Sequence, residues 1–342
     1  MIFPNTENEL ELMLSEPSPR LLSFMSELKG DIIVLGANGK MGVSLARMAK
    51  RAFLSLKSSQ RVIAVSRFTE KGGREKLESL GIETISCDLL NPREIERLPK
   101  VENVIFMAGR KFGTSGGTEP LTWAMNVLAP ANVARHFKDS RIVIFSTGCI
   151  YPLVPVSGGG CSETEPANPV GEYAQSCLGR ERVFEYFSNT EKTQILLYRL
   201  NYASDLRYGV LYDIALKVWK GEPFSGGAGF FNTIWQGDAN SYALLSLGLC
   251  GSPAEKLNVT GSELLSVRDS AEAFASIMGK AAVFSADFED KSYLNNASKL
   301  ISCFGAPRIT AEELIRAQAH WIMRGGQGLD KPTHFEVIDG KY

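Results

Sequence analysis

Hydrophobic and polar positions follow a regular alternation from Asp31 to about residue 200. Short, nearly continuous apolar runs, typical of buried parallel strands, are DIIVLG, RVIAVS, IETISCD, NVIFMAG, RIVIFST and QILLYRL. Between them lie segments with apolar residues at helical spacing: MGVSLARMAKRAF, EKLESLG, PREIERL, TWAMNVLAPANVARHF and EYAQSCLGRERVFEYFS. Because alternating strands and helices build right-handed βαβ units, the pattern predicts an α/β protein with a Rossmann doubly wound parallel sheet.

The same pattern predicts how the domains divide. Past residue 202 the regular alternation weakens and glycine-rich turns such as SGGAG appear. We therefore expect an N-terminal extension over 1–29 and a Rossmann domain over 30–202, to which a helix near 233–249 returns. The segments 203–232 and 250–342 should form a smaller α+β substrate lobe on the C-terminal side.

Composition and charge exclude several classes of partner. The 342 residues carry 37 Lys plus Arg and 38 Asp plus Glu, a formal net charge of -1, so no field attracts nucleic acid or an anionic membrane. No run of about 18 apolar residues is present to span a bilayer, and the acidic N-terminal segment does not resemble a secretion signal. The six cysteines lack paired spacing and the three histidines lie far apart. We expect free thiols in a reducing cytoplasm, no metal site and a small-molecule substrate.

A glycine-rich turn joins the first predicted strand to the first long helix. Three glycines at three-residue spacing suit a phosphate-binding turn: the first permits a tight turn, the second a close approach to a pyrophosphate, and the third close packing of helix and strand. The helix N-terminus adds free N–H groups for the phosphates. The predicted cofactor-binding residues of this turn are Gly36, Asn38, Gly39, Lys40, Met41 and Gly42.

The end of the second strand bears on the choice of dinucleotide. An NAD-binding turn offers a carboxylate to the adenosine ribose hydroxyls at this point, whereas this chain has Ser66 and Arg67. A guanidinium makes charge-assisted contacts with phosphate, so the pair favours the 2′-phosphate of NADP. NAD remains the alternative, in which case Arg67 is an ordinary solvated charge.

Further along the chain, small and polar residues follow the third and fourth strands and lie on the next helix: Asp88, Leu89, Ala108, Gly109 and Asn126. Over residues 31–201, in order, the chain resembles the extended short-chain dehydrogenase/reductase family, which includes NAD(P)-dependent sugar-nucleotide epimerases and dehydratases. The resemblance implies that Asp88 and Leu89 lie against the adenine ring. It also implies that Ala108, Gly109 and Asn126 lie on the nicotinamide side.

The fifth strand and the long helix after it carry the predicted catalytic residues. The segment STGCIYP is similar to the family's strand-end motif and puts Thr147 at the catalytic hydroxyl position. The segment YAQSC is similar to the YxxSK motif, with Tyr173 as the acid/base and Cys177 where the family has lysine. Positions i and i+4 of a helix share a face, so an ammonium there lowers the pKa of the tyrosine, which a thiol cannot do.

Three interpretations of Cys177 stay open at this stage. Tyr173 can be helped by another cation, such as Lys111 or Arg180, or by the charge of the nicotinamide. Alternatively, the reaction does not need a strongly activated phenol, or catalysis has been lost and cofactor binding kept. A small buried hydrophobic role for Cys177 is more in keeping with its type than a nucleophilic one.

The leading hypothesis for function is an NAD(P)-dependent oxidoreductase or epimerase/dehydratase. The resemblance implies a substrate with a hydroxyl or carbonyl on a small polar metabolite, such as a sugar or sugar-acid derivative. The alternative is a non-catalytic NADP(H)-binding regulatory or redox-sensing relative. Candidate substrate contacts are Lys111, Asn201, Arg207 and Tyr208, although ordinary surface or hinge roles suit them equally. We also expect a homodimer in which the helices at 119–137 and 171–188 form a four-helix bundle.

Overall fold

A parallel sheet forms the centre of the protein. The structure is a computed structural model that describes residues 3–69, 72–111, 116–331 and 333–340. The sheet strands are β1 Ile32–Leu35, β2 Val62–Ser66, β3 Glu83–Ser86, β4 Asn103–Phe106, β5 Arg141–Thr147, β6 Gln194–Leu200 and β7 Glu255–Val259. Their order across the sheet is β7-β6-β5-β4-β1-β2-β3, and neighbouring strands are parallel. The predicted Rossmann α/β class is confirmed, and the strand order reverses at β1, where a crevice opens at the carboxyl ends of β1 and β4.

Strand β7 differs from the sequence prediction. The prediction placed 250–342 in the substrate lobe, whereas β7 pairs with β6 at the sheet edge, with Glu255 opposite Leu196 and Val259 opposite Leu200. EKLNV has only two apolar residues and lies beyond the regular alternation of strands and helices that marks β1 to β6, so no local pattern indicates this strand.

Helices cover both faces of the sheet and build the second lobe. They are α1 Glu7–Leu14, α2 Pro19–Glu27, α3 Gly42–Ser55, α4 Gly73–Glu78, α5 Pro92–Ile95, α6 Glu119–Trp123, α7 Ala129–His136, α8 Gly171–Glu191, α9 Val210–Lys220, α10 Gln236–Leu245, α11 Val267–Met278, α12 Ser298–Phe304 and α13 Ala311–Met323. A π-helical turn over Ala124–Leu128 joins α6 to α7 without a break. Short 3-10 turns follow at Gly148–Ile150, Val156–Gly158 and Ser246–Leu249.

Side chains of β1 alternate between the two faces, as the pleat of a strand requires. Ile32 and Val34 lie in a core with residues of α2, α3, α10 and α12. Ile33 and Leu35 lie in a second core with residues of α5, α7 and α8. The central strands are therefore buried on both sides, which explains the nearly continuous apolar runs of β1, β4 and β5.

The N-terminal extension joins the two lobes. Thr6 and Ser18 accept backbone N–H bonds at the starts of α1 and α2 and so cap both helices. Leu10 of α1 is buried in the core of the second lobe, while Leu21 of α2 is buried against the sheet.

The second lobe is built mainly of α9, α11 and α13 around a core that includes Ile214, Phe274 and Trp321. Two-residue strands connect it to the loops above the sheet, with Phe230–Phe231 antiparallel to Leu265–Ser266 and Ala203–Ser204 parallel to Ile234–Trp235. Helix α10 lies instead on the Rossmann side, against α3. Among the described residues, no helix combines the length and apolar character needed to cross a bilayer.

Candidate active site

A cleft of about 1020 Å³ opens at the carboxyl ends of β1, β2 and β4, at the reversal of strand order. The turns after these strands and after β3 contribute most of its lining residues. They are Gly36, Asn38, Gly39, Lys40, Ser66, Arg67, Thr69, Cys87, Asp88, Leu89, Met107, Ala108, Gly109, Met125 and Lys331. Most of the residues predicted to bind a dinucleotide thus lie around one cavity, and we call it the cofactor cleft.

The glycine turn has the close contacts that its spacing predicts. Gly36 has a φ of +89°, and a Cβ there would lie 2.6 Å from the backbone nitrogen of Ala108. A Cβ on Gly42 would lie 2.5 Å from the carbonyl oxygen of Ala37, so this glycine permits α3 to start close to β1. Around Gly39 only the carbonyl oxygen of Gly36 lies near such a Cβ, at 3.2 Å, which leaves the side toward the cleft open.

The outer end of the cofactor cleft carries Arg67 and Asp88. Arg67 is exposed, and no described carboxylate forms a salt bridge with it. Asp88 is half-buried, and its carboxylate accepts the backbone N–H of Leu90 at 3.0 Å. Asp88 therefore both caps its own turn and faces the cleft.

A second cleft, of about 640 Å³, adjoins the first and lies between the sheet and the second lobe. Lys40 lines both clefts, so they meet at its side chain. The lining residues are Lys40, Met41, Lys111, Ser146, Thr147, Cys149, Tyr173, Leu200, Asn201, Tyr202, Ala203, Tyr208, Gly209 and Thr333. We call this the substrate cleft.

Tyr173 and Thr147 lie together in the substrate cleft. Thr147 is the last residue of β5 and Tyr173 lies in the first turn of α8, and their hydroxyl groups share a hydrogen bond. Burial raises the pKa of Tyr173 well above its ordinary value, while the charge of Arg180 and the bond to Thr147 oppose the rise. The phenol is therefore protonated near neutral pH and can act as a proton donor.

Cys177 lies one turn along α8 from Tyr173. Its side chain is buried beside Ile150 and Tyr151, and its thiol shares a hydrogen bond with Tyr173. Burial raises the pKa of the thiol to about 11, so the group is neutral near pH 7. It supplies no positive charge to the phenol.

Most of the residues that line the two clefts lie in the part of the chain that matches a known family. A family model described as the NAD dependent epimerase/dehydratase family matches residues 32–203. The chain belongs to this family. No curated protein matches the chain.

Solved structures of epimerases and dehydratases share the fold. The UDP-glucose 4-epimerase of Thermus thermophilus, in complex with NAD, is 21% identical with a TM-score of 0.69, over 86% of this chain and 99% of its own. The dTDP-glucose 4,6-dehydratase of Bacillus anthracis, also with NAD, is 16% identical with a TM-score of 0.70, over 85% and 96%. A UDP-glucuronic acid 4-epimerase mutant from Bacillus cereus, with UDP-4-deoxy-4-fluoro-glucuronic acid and NAD, is 17% identical with a TM-score of 0.69, over 85% and 98%.

Arg180 supplies a buried positive charge on the helix that carries Tyr173 and Cys177 in this member of the epimerase/dehydratase family. It follows Cys177 by three residues and so lies on the same side of α8. Its guanidinium donates to the carbonyl oxygen of Phe145 and to Oδ1 of Asn126, both at 2.7 Å. A Cβ on Gly109 would lie 2.3 Å from the guanidinium, so a side chain at this position would displace Arg180.

Asn126 does not line the cofactor cleft but holds the loop after β4 from within the protein core. The π-helical turn places it in the core, where Oδ1 accepts the backbone N–H of Arg110 at 2.8 Å. Its Nδ2 donates to the carbonyl oxygen of Arg110 at 3.0 Å and to Oγ of Ser176 at 2.9 Å. A π-helical turn often marks a functional site, and here it joins α8 to the loop after β4.

Two lysines face the substrate cleft from different loops. Nζ of Lys40 lies 3.0 Å from the centroid of the Tyr208 ring, a cation–π contact. Burial, together with the charges of Lys111 and Lys331, lowers the pKa of Lys40 to about 7, against the attraction of Asp205 and Asp213. Burial also lowers the pKa of Lys111.

The remaining predicted substrate contacts divide into two groups. Asn201 and Tyr208 line the substrate cleft, and Nδ2 of Asn201 donates to Oδ1 of Asn232 at 2.9 Å. Arg207 does not line it, because its guanidinium is paired with Asp205 and Glu11 at 2.8 Å each. Arg207 therefore fastens the turn that carries Tyr208 to the N-terminal helix α1.

Several lining residues were missed by sequence reasoning. Tyr202 and Thr333 in the substrate cleft, and Met125 and Lys331 in the cofactor cleft, have no local motif that marks them. Tyr202 has a φ of 46°, which is uncommon for a residue with a side chain and is not visible in the sequence. Among the described residues, no cluster of three His, Cys, Asp or Glu side chains is arranged to hold a metal ion.

Proposed function

We propose that the protein is an NAD(P)-dependent epimerase, dehydratase or oxidoreductase that acts on a hydroxyl-bearing carbon of a sugar nucleotide or a related sugar-acid derivative. The observation that carries this proposal is the Tyr173–Thr147 pair, which lies in a cleft that adjoins the cofactor cleft. The epimerase, dehydratase and glucuronic acid epimerase structures of the same fold support the substrate class.

The cofactor cleft fits a dinucleotide. Gly36 and Gly39 leave a cradle beside the N-terminus of α3, whose free N–H groups suit a pyrophosphate. Asp88 and Leu89 line one end, for the adenine, while Ala108 and Gly109 line the turn after β4, for the nicotinamide. When bound there, the nicotinamide supplies hydride transfer to or from a substrate carbon.

The chain's own residues would orient the substrate and move its proton. Thr147 would donate or accept a hydrogen bond at the substrate oxygen, and Tyr173 would exchange a proton with the same oxygen. The buried charge of Arg180 favours the tyrosinate form over what burial alone would allow, so it partly replaces the motif lysine.

We infer a preference for NADP over NAD. An exposed guanidinium at Arg67 and a hydroxyl at Ser66 suit a 2′-phosphate, and no carboxylate ends β2 to repel it. NAD is the alternative, and it is the cofactor of the structurally similar epimerases.

We also propose that the chain works as a homodimer in the cytoplasm. Large apolar side chains lie exposed on the continuous helix formed by α6, the π-helical turn and α7, with Leu121 at 44% and Leu128 at 54% exposure. Such side chains suit a helical bundle between two copies. All six cysteines are free thiols, in keeping with a reducing compartment.

A substrate panel with a matched pair of variants tests the proposed function. The protein is supplied with NADP or NAD and with UDP-glucose, UDP-glucuronic acid or dTDP-glucose, and products are separated by chromatography. We expect turnover of at least one sugar nucleotide, and a loss of about 100-fold or more in Tyr173→Phe with cofactor affinity unchanged. Tyr186→Phe, at an exposed tyrosine of the same helix, is the control and should keep full activity. An active protein in which Tyr173→Phe changes nothing would disprove this assignment.

The second candidate is a non-catalytic NADP(H)-binding regulator, and the neutral Cys177 beside a phenol of raised pKa favours it. In that case the protein should bind the dinucleotide tightly in calorimetry and turn over no member of the panel.

A further inference from the structure

Lys40 and Lys111 bring two ammonium groups into one partly buried cleft. Lys40 lies in the turn after β1 and Lys111 in the loop after β4, and both side chains line the substrate cleft with Thr147 and Tyr173. Burial lowers the pKa of each lysine, and the charge of Lys111 lowers the pKa of Lys40 further. The charged form of Lys40 is therefore unfavourable in this cleft unless a negative charge lies beside it.

The described residues do not supply that negative charge to Lys40. Its ammonium contacts the Tyr208 ring and makes no hydrogen bond or salt bridge with any described residue. The two carboxylates that attract it are engaged elsewhere. Asp205 is paired with Arg207, and Asp213 accepts the backbone N–H of Thr333 at 2.8 Å and its hydroxyl at 2.6 Å. The three hydrogen-bond donors of Lys40 are therefore available to a ligand.

We propose that Lys40 and Lys111 bind a carboxylate of the substrate next to the Tyr173–Thr147 pair. This inference rests on the proposed function and names its substrate class: a sugar nucleotide whose sugar is a uronic acid. The Tyr208 ring holds the stem and charge of Lys40 in place, and an anion between the lysines relieves their repulsion.

A substrate carboxylate is favoured over the pyrophosphate of the cofactor as the source of the anion. Lys111 lines the substrate cleft only, and Tyr208, on which Lys40 packs, also faces that cleft. The cofactor cleft has its own groups for phosphate, namely the N-terminus of α3 and Lys331. The affinity of Lys40→Met for NADP(H) distinguishes the pyrophosphate from the substrate carboxylate.

Two ligands that differ only at C6 test the inference. UDP-glucuronic acid carries a carboxylate there and UDP-glucose a hydroxymethyl group, and each is titrated by calorimetry into the protein saturated with NADP(H). We expect tighter binding of UDP-glucuronic acid. Lys40→Met, which keeps the apolar stem on Tyr208, should weaken UDP-glucuronic acid by about 10-fold to 100-fold and UDP-glucose by less than about threefold. Lys40→Arg should recover part of the loss, and the control Lys220→Met, at an exposed position, should change neither affinity.

Proton uptake gives an independent measurement. Burial and the charges of Lys111 and Lys331 disfavour the charged form of Lys40, while Asp205 and Asp213 favour it, and the Tyr208 ring attracts the ammonium. A carboxylate bound to Lys40 should favour the charged form further. Since the pKa of free Lys40 is about 7, UDP-glucuronic acid should take up close to one proton at pH 8 and bind more weakly as the pH rises above 7. Calorimetry in buffers of different ionisation enthalpy measures the uptake, which should be absent for UDP-glucose and for Lys40→Met.

The outcomes separate this inference from the proposed function. If UDP-glucuronic acid and UDP-glucose bind equally well and Lys40→Met lowers the affinity for both equally, the inferred carboxylate site is wrong. The proposed function is not contradicted by that result. If Lys40→Met instead weakens NADP(H) itself by 10-fold, the anion is the pyrophosphate and the inference is wrong. If neither sugar nucleotide binds, the proposed substrate class fails and this inference fails with it.

Discussion

At the scale of single residues, the proposed chemistry centres on Tyr173, which has the thiol of Cys177 one helical turn away. Burial raises the pKa of Tyr173, and the neutral thiol of Cys177 adds no positive charge, so the charge of Arg180 and the hydrogen bond to Thr147 offset the rise only in part. Arg180 is held by Phe145 and Asn126 and cannot move closer without breaking both bonds. A reaction that depends on tyrosinate should therefore speed up as the pH rises past neutrality.

Restoring the lysine should change the pH dependence. In Cys177→Lys, we expect the rate of alcohol oxidation to rise with pH from a lower starting pH than in the wild type, because the ammonium stabilises the tyrosinate. This rising part of the pH profile is called the limb. A limb displaced by one pH unit corresponds to about 1.4 kcal/mol of added stabilisation. Cys177→Ala, which adds no charge, should leave the limb in place. The profile is measured on whichever sugar nucleotide the panel identifies. If Cys177→Lys binds cofactor normally and keeps the wild-type profile, Tyr173 is not the titrating group.

Arg67 should decide between the two dinucleotides. Arg67→Ala removes the one guanidinium predicted to meet the 2′-phosphate, so NADPH binding should weaken by about 1.5 to 3 kcal/mol, while NADH binding should not change. Calorimetric titration of both cofactors measures this, with Arg316→Ala on the exposed side of α13 as the control. Equal losses for both cofactors would contradict a role in recognition of the phosphate.

At the scale of elements, α1 is tied to the substrate cleft through a buried ion-pair network. Glu11 on α1 pairs with Arg207, which also pairs with the fully buried Asp205 in the turn that carries Tyr208. Burial would raise the pKa of Glu11, but its pairing with Arg207 and Lys76 outweighs burial and lowers it. The N-terminal extension therefore helps to position the residue against which Lys40 packs.

Removing Arg207, the central cation of this network, should lower the stability of the protein. In Arg207→Met, the carboxylate of Asp205 loses its partner inside the protein, so the free energy of unfolding should fall by about 3 to 5 kcal/mol. Urea unfolding followed by fluorescence measures the change. The matched control is Arg316→Met, which removes an exposed i, i+4 pair with Glu312 and should cost less than about 0.5 kcal/mol. A similar small effect of both variants would show that the network does not stabilise the turn.

At the scale of the whole molecule, the exposed apolar side chains of the α6–α7 helix should separate dimer from monomer. Leu128→Glu places a charge in the proposed bundle, so we expect the mass in solution to halve, as measured by light scattering after gel filtration. Leu54→Glu changes an equally exposed leucine on α3 and should leave the mass unchanged. A monomeric wild-type protein would exclude the proposed homodimer at the concentrations used.

Much of the cofactor cleft could be predicted because its determinants are local in the chain. The apolar runs of β1 to β6 predict parallel strands, and the carboxyl ends of such strands meet at one edge of the sheet. Residues that directly follow strands, such as Gly36, Arg67, Asp88 and Ala108, must then lie near one another, as the structure shows.

The sequence by itself thus determined the Rossmann sheet and its glycine turn, since each follows from a short-range pattern. Thr147 and Tyr173 were singled out by the resemblance of their segments to motifs of the family. Tertiary structure alone decided that 255–259 completes the sheet, that Arg207 pairs with Glu11 and that Thr333 reaches the substrate cleft. These contacts join residues far apart in the chain. Their formation depends on how the two lobes pack, and no hydrophobic period or motif near either partner encodes that packing.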